Sequence, residues 1–112
     1  MRGYIVVKTI RGVRKVYLGE IHYLLRRGRK IFLYGDEGEL SFNGGIKEVA
    51  EGLDGRFFKV IESCYINLDR VKMAEDGRII FDDESSLLLS REAYVKTKQR
   101  LFGYLRERNN RP

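Results

Sequence analysis

Apolar and polar residues alternate through the first third of the chain, in stretches rich in β-branched and aromatic side chains. This period of two predicts antiparallel strands that bury one face. Glycine and charged residues separate the stretches and predict tight turns. We therefore expect a hairpin of residues 4–10 and 13–18 about Arg11-Gly12, a second hairpin of residues 20–25 and 30–34 about a four-residue loop, Arg26 to Arg29, and a further strand over residues 39–42.

The period changes near the middle of the chain, where apolar residues recur at helical spacing. They predict one short helix through Ile46, Val49, Ala50 and Leu53, with Asn43 as its candidate N-cap and Gly55 beyond its end. Strand patterns return over residues 57–61, 65–73, 78–81 and 86–89, with Asp76-Gly77 as a hairpin turn. From Arg91 the pattern is helical again, and the side predicted to pack holds Tyr94, Lys98, Leu101, Phe102 and Leu105.

Many short strands, one short internal helix and a C-terminal helix predict a mainly β fold. No helix separates successive strands in the first hairpins, which excludes a Rossmann or P-loop architecture, and Gly44-Gly45 lacks the spacing of either phosphate-binding loop. A chain of 112 residues can bury a core without disulfides or metal. We expect a single domain over residues 1–108 and a frayed tail over residues 109–112.

The net charge of +6 is unevenly distributed along the chain. Residues 1–34 carry a net charge of +8, residues 35–90 carry −7 and residues 91–112 carry +5. If folding brings the two ends together, they form a basic face that attracts phosphate. The alternative is two solvated basic edges that never meet.

The residues that most often carry catalysis or bind metal are sparse. Cys64 is the only cysteine and His22 the only histidine, so neither a disulfide nor a catalytic triad is available. We expect Cys64 to be a small buried residue and His22 to be structural or on the surface. The acidic runs at residues 36–39 and 82–84 lack the spacing of a calcium loop and are explained as solvated turns. We expect a protein that is not an enzyme and binds no cofactor and no metal.

No apolar run approaches the roughly 20 residues that a membrane helix needs. The N-terminus, Met1-Arg2-Gly3-Tyr4, also lacks the apolar core of a signal peptide. We therefore expect a cytoplasmic protein without a membrane partner.

Two motifs in the second half of the chain resemble the signature of a known family. Residues 57–71 read Phe-Phe-Lys-Val-Ile-Glu-Ser-Cys-Tyr-Ile-Asn-Leu-Asp-Arg-Val, and Leu89-Ser90-Arg91 follows downstream. The pair resembles the LytTR family of bacterial DNA-binding domains, whose usual pattern is Phe-x-x-x-His-Arg-Ser-Tyr-x-Val-Asn with a later Ser-Arg element. The Phe, Ser and Asn positions agree, whereas Ile61 and Glu62 replace the usual His and Arg, and the Tyr of the pattern falls on Cys64, one residue before Tyr65.

The resemblance covers residues 17–101 and implies a fold and a function. The fold is an elongated arrangement of small antiparallel sheets, and the function is sequence-specific DNA binding and transcription regulation by strand-supported loops that enter the major groove. The chain's candidate DNA-binding residues are Arg26, Arg27, Arg29, Lys30, Lys59, Glu62, Ser63 and Arg91. Arginine suits such a role, because its planar fork binds phosphate or the O6 and N7 edge of guanine in two places at once.

Each of these assignments has a structural alternative. The basic loop at residues 26–30 is also explained as a merely solvated hairpin tip. Glu62 stands where the family pattern has a base-reading residue; it either accepts a hydrogen bond from the amino group of cytosine, weakens DNA binding, or pairs with a neighbouring cation. Ser90 can cap the last helix, which would make Arg91 only the first residue of that helix.

The resemblance also implies partners. In the family, two domains commonly occupy direct repeats of double-stranded DNA, and we expect a homodimer on DNA. LytTR domains commonly follow a phosphorylated receiver domain of a two-component system, so the chain is either an excised output domain or a free-standing regulator that needs a regulatory protein partner. The rival hypothesis is a protein-interaction module of the same fold with weakened DNA affinity, for which the acidic central segment is the docking surface.

Overall fold

The computed structural model describes residues 3–110 and contains two compact units, one ending at Asn67 and the other beginning at Leu68. Together they hold small antiparallel sheets and two helices, so the predicted mainly β fold is confirmed. The assignment of residues 1–108 to a single domain remains a prediction. The tail predicted at residue 109 starts at the last helical residue, and Arg111 and Pro112 lie outside the described residues.

The first unit consists of a two-stranded hairpin, a five-stranded sheet and a short helix. Burial alternates along Tyr4–Thr9 and Lys30–Gly35, and the buried apolar side chains of the unit form a core around Leu24, Ile31 and Leu33. The sheet has the strand order β5-β4-β3-β7-β6. Its elements are β1 (Tyr4–Thr9), β2 (Gly12–Tyr17), a 3₁₀ turn (Leu18–Glu20), β3 (Ile21–Arg27), β4 (Lys30–Gly35), β5 (Gly38–Asn43), α1 (Ile46–Ala50), β6 (Phe57–Ile61) and β7 (Cys64–Asn67).

The second unit consists of a three-stranded sheet of order β10-β9-β8 and the long terminal helix. The Tyr104 hydroxyl donates to the Asp69 carboxylate at 2.8 Å, and Arg108 lies 3.7 Å from the same carboxylate, which ties the helix to the 3₁₀ turn at the start of the unit. Its elements are the 3₁₀ turn (Leu68–Arg70), β8 (Val71–Glu75), β9 (Arg78–Phe81), β10 (Ser86–Leu88) and α2 (Arg91–Asn109).

Three local predictions are wrong. Asn43 does not cap α1, because it is paired with Lys30 in the sheet, and Gly45 is the N-cap instead. The helix ends at Ala50, since Gly52 and Leu53 donate to carbonyls only three residues back. The strand expected over residues 65–73 is broken by the 3₁₀ turn at Leu68–Arg70.

The side of α2 that packs also differs from the prediction. Ala93, Thr97 and Leu101 are buried, whereas Phe102 and Leu105 are exposed. Residues four apart in sequence lie on one face of a helix, so these three share a face. Ala93 and Thr97 are small enough to let α2 approach its neighbours closely. The apolar residues of α2 that were predicted to pack together are therefore divided between two faces of the helix.

Candidate nucleic-acid interface

Most of the predicted site residues meet at one end of the five-stranded sheet. The β3–β4 hairpin turns through Gly28-Arg29, since Arg27 pairs with Lys30, and the β6–β7 hairpin turns through Glu62-Ser63. Antiparallel pairing of β3 with β7 aligns Leu25 with Cys64, and one residue further on the Arg26 amide donates to the Ser63 carbonyl at 2.8 Å. Backbone register therefore holds the two hairpin tips side by side.

The basic loop is tighter than the predicted four-residue loop. Arg26 and Arg27 are the last residues of β3, and only Gly28-Arg29 lie between the strands. Gly28 has φ +62°, a conformation that glycine adopts without the penalty a side chain would impose. The short turn fixes where each arginine leaves the backbone.

The four cations of this tip differ in their partners. The Arg26 guanidinium donates back to the Gly28 carbonyl at 3.1 Å, and the Arg27 guanidinium lies 5.7 Å from the centre of the Phe32 ring. Arg29 and Lys30 are exposed and, within residues 3–110, have no hydrogen bond or ion pair from their side chains. These two charges are the ones most available to a phosphate.

The second tip carries an ion pair. Lys59 Nζ lies 3.0 Å from Glu62 Oε2, and both side chains are largely exposed. The hydrogen bond and charge of Lys59 lower the pKa of Glu62, and Lys47 adds to this effect, while Glu62 raises the pKa of Lys59. Both groups are thus charged at neutral pH, and Glu62 is the cation-paired glutamate that one of the sequence interpretations described.

Buried residues beneath the second tip hold it in place. Asn67 is fully buried, and its amide donates to the carbonyls of Leu18 at 3.2 Å and Ile21 at 2.8 Å, as expected for an asparagine that satisfies backbone groups. Cys64 is buried, and desolvation raises the pKa of its thiol to about 11. The predicted role of Cys64 as a small buried residue is confirmed, and Asn67 has a structural role as well.

Ser63 and Arg91 occupy different settings. Ser63 is half-buried and contributes its backbone carbonyl to the contact between the tips. Arg91 belongs to the second unit, where it is the exposed first residue of α2, and the Ser90 hydroxyl accepts from the Ala93 amide at 3.2 Å. Ser90 is therefore the helix cap that the sequence allowed, and Arg91 projects from the first turn of the helix.

Two residues at the sheet end were missed by the sequence assignment. Asn43 is exposed at the end of β5 beside Lys30, and Lys47 on α1 is near enough to Glu62 to change its pKa. The signal for Asn43 was the strand pattern of β5, which extends to that residue. An amide and a further cation thus join the arginines.

The histidine and the acidic residues singled out in the sequence make structural contacts. The buried His22 Nε2 lies 2.9 Å from Asp36 Oδ1. Asp82 and Glu84 pair with Arg70 and Lys72. Among residues 3–110 no cluster of His, Cys, Asp and Glu has the geometry of a metal site. No helix in this part of the chain is long and apolar enough to cross a membrane.

Comparisons with known proteins agree with this fold. The solved structure of a LytTr DNA-binding domain from Bacillus cereus superposes with a TM-score of 0.72 at 18% identity, over 90% of this chain and 97% of that one. No curated protein matches the sequence. The sequence profile of the LytTr DNA-binding domain matches residues 11–102. The chain therefore belongs to the LytTR family of DNA-binding domains.

Proposed function

We propose that this chain binds double-stranded DNA sequence-specifically through the two hairpin tips at the end of the five-stranded sheet. DNA binding and transcription regulation are the general function of the family, whose fold is non-enzymatic. The observation that carries the proposal is the hydrogen bond from the Arg26 amide to the Ser63 carbonyl, because it sets the arginine tip beside the Glu62 tip.

The dimensions of the sheet end suit a major groove. Neighbouring strands are about 4.8 Å apart, so the centres of the two tips, two strand spacings apart in the order β4-β3-β7-β6, are separated by about 10 Å. The major groove of B-DNA is about 12 Å wide. Both tips therefore fit across one groove, where rigid strands present side chains without a recognition helix.

The side chains divide into those that hold phosphate and those that read bases. Arg29 and Lys30, whose side chains have no hydrogen bond or ion pair among the described residues, neutralise phosphates. Arg27 is the last residue of β3, so the strand sets the direction of its side chain, which suits bidentate binding to the edge of guanine. Arg26 supports the turn through its bond to the Gly28 carbonyl.

Glu62 and Lys59 act as a pair in this proposal. The Lys59 ammonium offsets the negative charge of Glu62, which lets the carboxylate approach DNA and accept from the N4 amino group of cytosine. Arg91 in the second unit supplies a further contact, and two copies occupy direct repeats of the DNA site.

A second candidate function is the protein-interaction module. It is favoured by one observation: the Glu62 side chain is 78% exposed at the tip that would face DNA, where a carboxylate repels phosphate. In that case the acidic central segment docks a protein, and the chain has little affinity for any duplex.

Selection of duplexes from a random pool, followed by anisotropy titration of the recovered and a scrambled duplex at several salt concentrations, tests the proposal. A recovered motif that is bound much more tightly than the scramble supports sequence reading. Equal weak binding to both duplexes contradicts it and favours the interaction module.

A pair of variants assigns the surface. Arg29→Ala with Lys30→Ala should reduce the slope of log affinity against log salt by about 1.8, since each phosphate contact contributes about 0.9. Arg14→Ala is the control, because its guanidinium is already paired with Glu37, 2.8 Å away, at the β4–β5 turn on the opposite end of the sheet. An unchanged slope in the double variant would remove these residues from the interface.

A further inference from the structure

The terminal helix α2 presents an apolar strip that its own unit leaves uncovered. Val95 is 43% exposed, Phe102 63% and Leu105 39%. At 3.6 residues per turn, Val95 and Phe102 lie within about 20° of each other, on the side of the helix opposite to the buried Ala93, Thr97 and Leu101. From Val95 to Leu105 the strip rises about 15 Å along the axis.

The charges on this side of α2 have one dominant sign. Lys98 and Arg106 lie on it with a single carboxylate, that of Glu92, and Arg91, which the proposed function assigns to DNA, lies one turn before Val95. Among the described residues neither Lys98 nor Arg106 has a carboxylate partner. The Arg106 guanidinium lies 5.5 Å from the centre of the Phe102 ring, so a cation is held directly beside the most exposed apolar residue.

The spacing of the strip identifies the shape of its occupant. Val95, Phe102 and Leu105 are separated by seven and three residues, which is the spacing of a seam that packs against another helix. A partner helix covers such a strip with its own apolar residues at intervals of three and four. Its flanking positions then reach Lys98 and Arg106.

The charge of the strip identifies the chemistry of its occupant. We infer that the outer face of α2 docks an acidic amphipathic helix of a partner protein, which covers Val95, Phe102 and Leu105 and pairs its carboxylates with Lys98 and Arg106. A second copy of this chain fits poorly, because a twofold contact would place the cations of one copy against the same set of cations on the other. A DNA backbone would bind the cations and leave Phe102 against phosphate.

The test uses the full chain and a synthetic probe. The probe is a fluorescein-labelled helical peptide with Leu at heptad positions a and d and Glu at e and g, and its controls are a scrambled peptide and one with Lys in place of Glu. We expect saturable binding of the Glu peptide that weakens as salt is raised, with no saturable binding of either control. Absence of saturable binding by the Glu peptide, or equal binding of the Lys peptide, overturns the inference.

Matched variants tie the binding to the face. Arg106→Glu and Phe102→Ala should each weaken the peptide complex by about tenfold or more. Arg100→Glu is the control, because Arg100 also lies over an aromatic ring of the same helix, 5.4 Å from the centre of Tyr104, but on a different side. A loss in Arg100→Glu equal to that in Arg106→Glu would contradict the assigned face.

Two further measurements separate the other occupants. Sedimentation equilibrium of the chain alone should show a monomer. A dimer that the Phe102→Ala substitution abolishes would overturn the inference in favour of self-association. DNA titration of Arg106→Glu should match the parent chain. A loss of DNA affinity would assign this face to nucleic acid and overturn the inference, while leaving the hairpin tips of the first unit to be judged by their own variants.

Discussion

Removing the charge of Glu62 should increase the salt dependence of binding to a scrambled duplex. In the free protein the Lys59 ammonium is engaged by this carboxylate at 3.0 Å, and Glu62→Gln removes the charge that holds it. One released ammonium adds about one phosphate contact, so the slope of log affinity against log salt should steepen by about 0.9. Between 50 and 200 mM salt, a fourfold change, this corresponds to about 3.5-fold in affinity.

A double-mutant cycle isolates the reason for that change. Glu62→Gln should steepen the slope in the parent chain and leave it unchanged in a Lys59→Ala background, because no ammonium is then released. Anisotropy titrations of the four proteins at several salt concentrations measure both effects. An equal change with and without Lys59 would refute the reasoning, since Glu62 would then act by repelling phosphate directly.

The same substitution separates the two roles of Glu62 on the selected duplex. If the carboxylate accepts from a cytosine amino group, Glu62→Gln should lower the preference for that cytosine, and a base contact of this kind accounts for about 1–3 kcal/mol of discrimination. Competition between the selected duplex and one with the cytosine replaced measures the preference. An unchanged preference would leave Glu62 without a reading role.

Three further predictions concern stability, measured by urea unfolding. Asn67→Leu should cost about 2–4 kcal/mol, because it leaves the buried Leu18 and Ile21 carbonyls without the amide that donates to them; full stability would contradict its structural role. Thr97→Val should stabilise the fold by about 1 kcal/mol, since the buried Thr97 hydroxyl is without a partner among the described residues. Burial raises the pKa of the Cys64 thiol from about 9 in the unfolded chain to about 11 in the fold, so its contribution to stability is complete below pH 9 and is lost as pH rises towards 11. That loss is roughly 2–3 kcal/mol, and Cys64→Ala should lack it.

The strands were predictable because their burial depends on local alternation, whereas element ends and the packed face of α2 depend on partners elsewhere in the chain. Asn43 is a residue type that often caps helices, but it pairs with Lys30, and this pairing extends β5 and places the Asn43 backbone in the sheet. The sequence of α2 offers apolar residues on two faces, and no local rule distinguishes them. The contacts of Tyr104 and Arg108 with Asp69 select the face that packs.

The candidate site was predictable in its residues but not in its arrangement. The family motif indicated the Glu62 tip and composition indicated the arginine tip, yet only the pairing of β3 with β7 places them at one end of the same sheet. Asn43 and Lys47 were missed because they reach this end through β5 and α1, which carry no motif. Long-range register is information that a linear pattern does not contain.

The way the tips are held explains how this chain can carry glutamate where the family pattern has arginine. The contact between the tips is made by the Arg26 amide and the Ser63 carbonyl, and both are backbone groups. The supports, Cys64 and Asn67, are buried, and the Asn67 amide donates to the carbonyls of Leu18 and Ile21. An exposed position held by backbone register can change its side chain with little effect on the fold. Glutamate in place of the arginine of the family pattern at position 62 is therefore compatible with the same scaffold.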